Sequence, residues 1–238
     1  MTFRLRNSPV RLLGKIALTS VIALSSAIIA HGDTLDDWTF ETSMPNGTGT
    51  DNGPYAPDGG ILTLGAGASG HHASASTAWS TISGNGSLSA YNSNHWGVND
   101  YWQFTLTTLG YSDITVSYAQ EGSSTGPANF QFQYSTDGTS FTNFGSAYSL
   151  TSSTSYKTSS FDLSMVPGVN TAPTVYFRVL DTSTTAIGGG SVGAAGSDHI
   201  DDFVVSGLIA IPEPSVYMLL GIGLLVCAQR FLRGRPDA

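Results

Sequence analysis

Aromatic residues lie beside short polar loops near the middle of the chain, a combination typical of sugar-binding surfaces. The aromatic residues are Trp79, Tyr91, Trp96 and Tyr101, and the polar residues around them are Asn92, Asn94, His95 and Asn99. A binding site of this kind combines apolar ring surface with a few well-placed hydrogen-bonding groups. We expect the Trp96 ring to be exposed, which makes it the candidate for glycan binding. The alternative is that these rings belong to the core, because large aromatic side chains supply much of the buried surface in a folded domain.

Catalytic and zinc-binding patterns are weak in this sequence. The histidines that a zinc site would have to bring together are His71, His72, His95 and His199, but their spacing matches no zinc pattern, and we expect them to be loop residues. The Gly-x-Ser-x-Gly pattern occurs at residues 122–126 and 189–193, but neither match is followed by the helical pattern of a nucleophile elbow, so neither marks a nucleophilic serine. Only Glu41 and Glu121 are glutamates between residues 33 and 209, which disfavours a glutamate pair for glycoside cleavage. We therefore expect no enzymatic activity and keep a secreted hydrolase as the third alternative.

The elements that must position these residues are predicted to be strands. The apolar residues alternate most clearly in residues 101–107, 113–120, 129–135 and 174–180, and weaker runs occupy 35–41, 61–64 and 199–206. Residues 66–76 are small and polar, and are predicted to be irregular. About nine or ten strands, each with one apolar face, predict an all-β antiparallel sandwich, jelly-roll-like, with the first and last strands adjacent.

Short sequence words support this architecture and are similar to those of secreted bacterial jelly-roll domains. They are Tyr101-Trp102-Gln103-Phe104, Gly126-Pro127, Tyr134-Ser135-Thr136-Asp137-Gly138 and Ile200-Asp201-Asp202-Phe203. Trp38-Thr39-Phe40-Glu41 and the last of these words also resemble the terminal strands of calcium-bearing jelly rolls, including carbohydrate-binding modules and MAM-type domains. The resemblance implies a calcium site at Glu41, Asp201 and Asp202, since calcium takes several oxygen ligands. The alternative is a set of solvated carboxylates at strand ends.

The C-terminal residues 211–238 resemble a PEP-CTERM sorting signal. Its parts are an extended Pro212-Glu213-Pro214-Ser215 segment, an uncharged run from Val216 to Ala228, and the basic residues Arg230, Arg233 and Arg235. The prolines prevent a helix from starting. The run would make a helix of ~20 Å, shorter than a hydrocarbon core of ~30 Å, and the arginines would stay in the cytoplasm. The resemblance implies cleavage by an exosortase-type membrane protease or transpeptidase. The alternative is an ordinary C-terminal membrane anchor.

The N-terminal residues 1–32 are predicted to be a secretory signal peptide. A basic leader containing Arg4, Arg6, Arg11 and Lys15 precedes an apolar stretch from Ile16 to Ala30. Its partner would be the secretion translocon, and the alternative is an N-terminal membrane anchor. Residues 33–209 would then be the exported domain, flanked by an N-terminal signal helix and a C-terminal hydrophobic helix.

Charge is divided sharply between these regions. Between residues 33 and 210 there are 15 acidic residues against two basic ones, Lys157 and Arg178, which leaves a formal charge of −13. Such a surface does not neutralise phosphates, so nucleic acid is excluded as a partner. The single cysteine, Cys227, allows no disulfide within the chain, so the domain must be held by its core.

These observations predict an exported, non-catalytic protein of the cell surface or exopolysaccharide matrix. It would be anchored transiently in the inner membrane of a Gram-negative bacterium before release to the envelope or matrix. The alternative function is a calcium-assisted carbohydrate-binding module, with exopolysaccharide as the partner. No other cofactor is expected.

Overall fold

The computed structural model describes residues 32–210 and, beyond them, the helical residues 218, 220–225 and 227. The predicted signal peptide, the Pro-Glu-Pro segment and the three C-terminal arginines lie outside the described residues. Within the part that is described, no helix is long and apolar enough to cross a bilayer. Residues 32–210 form two antiparallel sheets with a shared aromatic core, which confirms the predicted β-sandwich.

Eight strands form the first sheet, ordered β13-β9-β15-β7-β6-β2, with β1 paired to β15 and to β4. Their bounds are β1 Asp33–Trp38, β2 Gly47–Thr48, β4 Gly59–Gly60, β6 Ala78–Ile82, β7 Ala90–Asn94, β9 Tyr111–Gly122, β13 Lys157–Asp162 and β15 Ser197–Ile209. The first and last strands pair antiparallel, with Trp38 opposite Phe203, so the predicted adjacency of the two chain ends of the domain is confirmed.

Seven strands form the second sheet, ordered β11-β10-β14-β8-β5-β3, with β12 paired to β10. Their bounds are β3 Asp51–Tyr55, β5 Gly67–His71, β8 Tyr101–Leu106, β10 Asn129–Ser135, β11 Thr142–Asn143, β12 Tyr148–Ser149 and β14 Val175–Asp181. The inward side chains of both sheets are mostly aromatic or β-branched.

Stacked aromatic rings join the two sheets in the core. Phe104 of β8 lies parallel to Phe203 of β15 at a centroid distance of 3.5 Å, and Trp38 packs edge-on against both rings. All three side chains are fully buried. Burial of a large apolar side chain stabilises a fold by about 1.5–3 kcal/mol, so this core can hold the domain without disulfides.

Two of the predicted elements were assigned wrongly. Residues 67–71 form a central strand, β5, instead of an irregular segment, and residues 61–64 are not a strand. The small residues of β5 have a packing reason: a Cβ on Gly70 would lie 2.2 Å from Cζ3 of Trp79. Small residues there make room for the indole rings above them. Ile61 and Leu64 are exposed, which explains why an apolar run produced no strand.

Candidate functional site

The outer surface of the seven-stranded sheet carries a row of polar and aromatic side chains on neighbouring strands. Along β8 the side chains of Trp102, Phe104 and Leu106 enter the core, so the alternate residues point outward. The same alternation holds on β5, β14 and β10. We call this surface the open face, and its outward side chains are Ser69, His71, Tyr101, Gln103, Thr105, Gln133, Tyr176 and Arg178.

Planar groups stack along the open face from one strand to the next. The His71 ring lies against the Tyr101 ring at a centroid distance of 5.0 Å and an angle of 27°. The Arg178 guanidinium lies 3.7 Å from the Tyr101 ring centre and 3.5 Å from that of Phe141. We call these four residues the stacked row. Because stacking covers the flat faces, the row offers its edges to a ligand, and the edges of Tyr101 and Arg178 carry hydrogen-bond donors.

Register between the strands explains how residues distant in sequence meet in this row. Arg178 is opposite Gln103 in the β14–β8 pair, and Tyr101 is opposite His71 in the β8–β5 pair. Gln103 Oε1 accepts a hydrogen bond of 2.8 Å from Nε of Arg178. At the other end of the row, Nδ1 of His71 is within hydrogen-bonding distance of the carboxylate of Asp51 on β3.

Electrostatics couple the members of the row. Burial raises the pKa of Tyr101, while the nearby Arg178 charge opposes that shift and the Asp51 charge adds to it. Burial lowers the pKa of Arg178, with Tyr101 acting in the opposite direction. Arg178 is half-buried, so its charge is screened less than that of a fully exposed group.

A groove runs beside the stacked row, between β3, β5 and β8. Its volume is about 590 Å³. It is lined by Asp51, Asn52, Gly53, Pro54, Gly65, Ala66, Gly67, Ser69, Gly70, His71, Tyr101, Gln103 and Thr105. Because the strands on this side are built of small residues, the groove has a low floor next to the taller rings of the row.

Trp96 does not belong to this surface, and the expectation that its ring is exposed is wrong. Its side chain is only 6% exposed and packs edge-on against Trp102, 5.0 Å away, and against His72. Its indole N–H donates to the carbonyl of Ser93 at 2.9 Å. The flanking loop is tied down by Asp100, which accepts from the backbone N–H groups of Ala73 and Gly97. A tryptophan flanked by polar residues therefore became part of the core.

The three residues predicted to bind calcium are close to one loop, residues 83–89. Asp201 Oδ2 accepts from the backbone N–H of Asn85 at 2.6 Å and from the Ser87 hydroxyl, and Glu41 Oε1 accepts from the N–H of Ser89 at 2.8 Å. Burial raises the pKa of Asp202, and the Glu41 charge adds to the shift.

Hydrogen-bond donors take the place that an ion would need at Asp201. Both of its oxygens accept from N–H or O–H groups. Among residues 32–210 and the described helical positions, no three His, Cys, Asp or Glu side chains are placed to hold a metal ion. As placed, Asp201 does not fit a calcium cage, and a site would rest on Glu41 and Asp202. Calcium binding stays a prediction.

Asp201 and Asp202 also depart from the regular alternation of a β-strand. The β15–β9 register shifts between Asp201 and Val204, and Asp202 has a φ of 48°. Such a β-bulge turns neighbouring side chains toward one another. Both carboxylates contact Asn85, one through its backbone and the other through its side chain.

Ser93, His72 and Asp100 form a Ser-His-Asp arrangement that the sequence did not indicate. His72 Nδ1 lies 3.0 Å from Asp100 Oδ2, and His72 Nε2 lies 3.0 Å from the Ser93 hydroxyl. All three side chains are buried, and Ser93 also donates to the carbonyl of Ala78. A nucleophile must reach a substrate, which a hydroxyl between the two sheets does not. The network satisfies buried polar groups. His72 lies in the loop after β5, as expected, but its side chain is buried. The expectation of loop histidines is wrong for His71 and His199, which lie on β5 and β15.

Several carboxylates are buried between or along the sheets. Burial raises the pKa of Asp36 and of Asp181 to about 7. Burial also raises the pKa of Asp198 well above its ordinary value, opposed by hydrogen bonds from Trp102 at 2.6 Å and from Gln120. Asp36 has no hydrogen-bond partner on either oxygen among the residues described. These carboxylates are protonated more readily than exposed aspartates. Their protonation affects the stability and net charge of the domain, and none of them is an outward side chain of the open face.

No family model matches the chain. No curated protein matches it either. Solved structures with a similar fold include the family 11 carbohydrate-binding module of the cellulosomal cellulase Lic26A-Cel5E of Clostridium thermocellum, at 15% identity and a TM-score of 0.38. That match covers 78% of this chain and 100% of the other.

A putative sugar binding protein from Bacteroides thetaiotaomicron matches at 8% identity and a TM-score of 0.45, covering 74% of this chain and 99% of the other. The xylan-binding domain CBM22-2 of Paenibacillus barcinonensis Xyn10C matches at 12% identity and a TM-score of 0.38, covering 55% and 86%. At these TM-scores and identities the likeness says nothing about what this chain binds.

Proposed function

We propose that this chain is an exported, non-catalytic protein that binds polysaccharide along the open face of its seven-stranded sheet. The observation that carries the proposal is the groove of about 590 Å³ lying directly beside the stacked row. The row supplies edge donors at fixed positions, and the groove supplies space for a ring next to them. Sugars, with many hydroxyl acceptors and apolar ring faces, have the complementary chemistry.

The dimensions of the open face suit a chain of sugars better than a single one. Asp51, His71, Tyr101 and Arg178 lie on four successive strands, β3, β5, β8 and β14. Neighbouring strands are ~4.8 Å apart, so these four residues span roughly 14 Å across the sheet. A ligand that contacted Asp51 and Arg178 at once would be an oligosaccharide or a polymer.

Binding to a glycan array by the full-length chain, kept in mild detergent because of its two apolar ends, tests the proposal. Tyr101→Ala removes the ring at the centre of the row, and we expect it to weaken binding at least tenfold, because the phenol hydroxyl is lost together with the ring that holds His71 and Arg178 in place. Tyr156→Ala is the matched control. It removes a similarly half-buried tyrosine beside the other sheet, where its hydroxyl donates to Ser83, and should leave binding unchanged. Equal binding by both variants, or no binding to any glycan, would reject the proposal.

We also propose that export and C-terminal processing deliver the domain to the cell envelope or the extracellular matrix. The sequence features that support this are the N-terminal basic and apolar segments and the C-terminal Pro-Glu-Pro, apolar and arginine segments. The partners would be the secretion translocon and an exosortase-type enzyme. Intact mass of the mature protein is the measurement: we expect loss of both ends, with a new C-terminus within residues 212–215. A mature product that keeps Arg4 and Arg235 would contradict this part.

A further inference from the structure

Arg178 occupies an unusual position for a basic residue in this domain. Among residues 33–210 it is one of only two, and the other, Lys157, is exposed on β13 of the opposite sheet. Arg178 is on β14, which has paired strands on both sides, so its side chain rises from the middle of the open face. The Arg178 guanidinium is the only group on this face that is positively charged at every ordinary pH. It therefore lies where a ligand that crosses the face would pass.

The guanidinium of Arg178 is held in place before any ligand arrives. It lies between the rings of Tyr101 and Phe141, at 3.7 Å and 3.5 Å, and its Nε donates to Gln103. Rings on both sides restrict the side-chain torsions and remove water from the flat faces of the group. Less conformational freedom is then lost on binding than for a solvated arginine.

Arg178 lacks a protein anion to neutralise it within the described part of the chain. The two contacts there between a carboxylate and a basic side chain are Asp51 with His71 and Asp100 with His72, and neither involves Arg178. No described side chain or carbonyl accepts from the terminal Nη atoms, since the hydrogen bond of Arg178 uses Nε. A planar fork of donors with a fixed orientation matches a carboxylate, which can accept two parallel hydrogen bonds. A neutral hydroxyl offers one oxygen and no charge.

Asp51 is the acidic residue of the groove, and it opposes an anionic ligand only weakly at this point. Its carboxylate is paired with His71. It lies three strand intervals from Arg178, roughly 14 Å. That distance exceeds the Debye length of about 10 Å at 0.1 M salt, so its repulsion on an anion at Arg178 is largely screened.

We propose that Arg178 makes the open face selective for acidic polysaccharides, with the guanidinium pairing to the carboxylate of a uronic acid residue. This inference rests on the proposed glycan binding and names its ligand class. Neutral hydroxyls along the chain would still bind the other donors of the row. The uronic acid carboxylate, by pairing with Arg178, makes an acidic polymer bind more tightly than a neutral one.

Polymers that differ only in the carboxyl group test the inference directly. Polygalacturonate, alginate and glucuronan are each compared with their carboxyl-reduced forms, by titration calorimetry with the full-length chain. We expect at least one acidic polymer to bind about tenfold tighter than its reduced form, which corresponds to the gain from a charge-assisted bidentate pair. Arg178→Gln should remove this difference while changing binding to the neutral form less than about threefold. Arg178→Lys, which keeps the charge but not the fork, should retain only part of it.

The outcomes separate this inference from the proposed function. Equal binding of acidic and reduced polymers by the wild type would overturn the uronate assignment and leave glycan binding standing. Sulfated galactan binding as tightly as polygalacturonate would also overturn it, because charge alone would then decide. Absence of binding to every polymer would reject the proposed function itself. The wild-type comparison needs no variant, so misfolding of Arg178→Gln, checked by its melting midpoint, does not affect it.

Discussion

Replacing Asp36 with asparagine should stabilise the protein at pH 8 and have little effect at pH 4.5. Asp36 is fully buried, has no hydrogen-bond partner on either oxygen among the described residues, and has a pKa raised by burial from 3.8 to about 7. Between pH 3.8 and about pH 7, Asp36 keeps a proton in the folded state that it has already released in the unfolded state. Stability contributed by this group is therefore complete below pH 4 and is lost as the pH rises to 7.

The size of the effect follows from the shift. A full shift of about 3 pH units corresponds to about 4 kcal/mol, and local opening that lets water reach the carboxylate reduces it, so we expect about 2–4 kcal/mol. Asparagine resembles the protonated carboxyl in shape and charge, so Asp36→Asn should remove this loss. The difference in unfolding free energy between variant and wild type should then grow by that amount from pH 4.5 to pH 8. Subtracting the wild-type value cancels the contribution of groups whose effect on stability changes with pH in the opposite direction. His199 is one such group, because burial lowers its pKa to about 4.

Urea denaturation at several pH values, with chelator present, measures this difference. Asp33→Asn is the control, because it removes the same charge from an exposed position at the start of the same strand. It separates the titration of Asp36 from the general relief of negative charge. A variant–wild-type difference that stays flat from pH 4.5 to pH 8, or that Asp33→Asn reproduces, would refute the reasoning.

Three further predictions concern packing and calcium. Gly70→Ala places a methyl group 2.2 Å from the Trp79 ring and should cost about 1–3 kcal/mol in urea denaturation, whereas Gly168→Ala, whose nearest contact is 3.6 Å, should change stability by less than about 0.5 kcal/mol. Trp96→Ala should cost about 3–5 kcal/mol by the same measurement, because the ring is buried; a variant of wild-type stability would contradict that placement. If Glu41 and Asp202 hold a structural calcium ion, EDTA will lower the melting midpoint, and an unchanged midpoint would reject the ion.

Strands whose aromatic residues alternate with polar ones were predictable from the sequence. Residues 129–135 match the observed strand β10, and the run at 174–180 is displaced from β14 by one residue. The β5 strand was missed because its small residues carry no alternation of apolar character. Small residues are needed there because the rings of Trp79 and Trp102, which come from other parts of the chain, pack against this strand. Apolar periodicity therefore identifies strands whose large side chains fill the core, and it misses strands whose small side chains leave room for rings from other strands.

The candidate site was beyond the reach of sequence reasoning for a related reason. Tyr101 was recognised as a candidate aromatic residue and Arg178 as one of two basic residues, but nothing local joins them. Their contact depends on the register that places Arg178 opposite Gln103. Phe141 enters from the chain segment just before β11. Composition identified the chemical groups, and only strand order and register show which of them face a ligand together.

The acidic composition of the domain overstates the negative charge that an approaching polymer would meet. Several of the 15 acidic residues between 33 and 210 are buried: Asp36, Asp100, Asp181, Asp198 and Asp201. Burial raises the pKa of Asp36 and of Asp181 to about 7, so below that pH these two carry protons and no longer add to the repulsion of an anionic polymer. Burial also raises the pKa of Asp198 well above its ordinary value. A uronate carboxylate keeps its charge there, because an unperturbed carboxyl titrates near pH 4. Mildly acidic conditions thus lower the long-range barrier while leaving the pairing with Arg178 intact, so a strongly acidic domain and an acidic ligand are compatible.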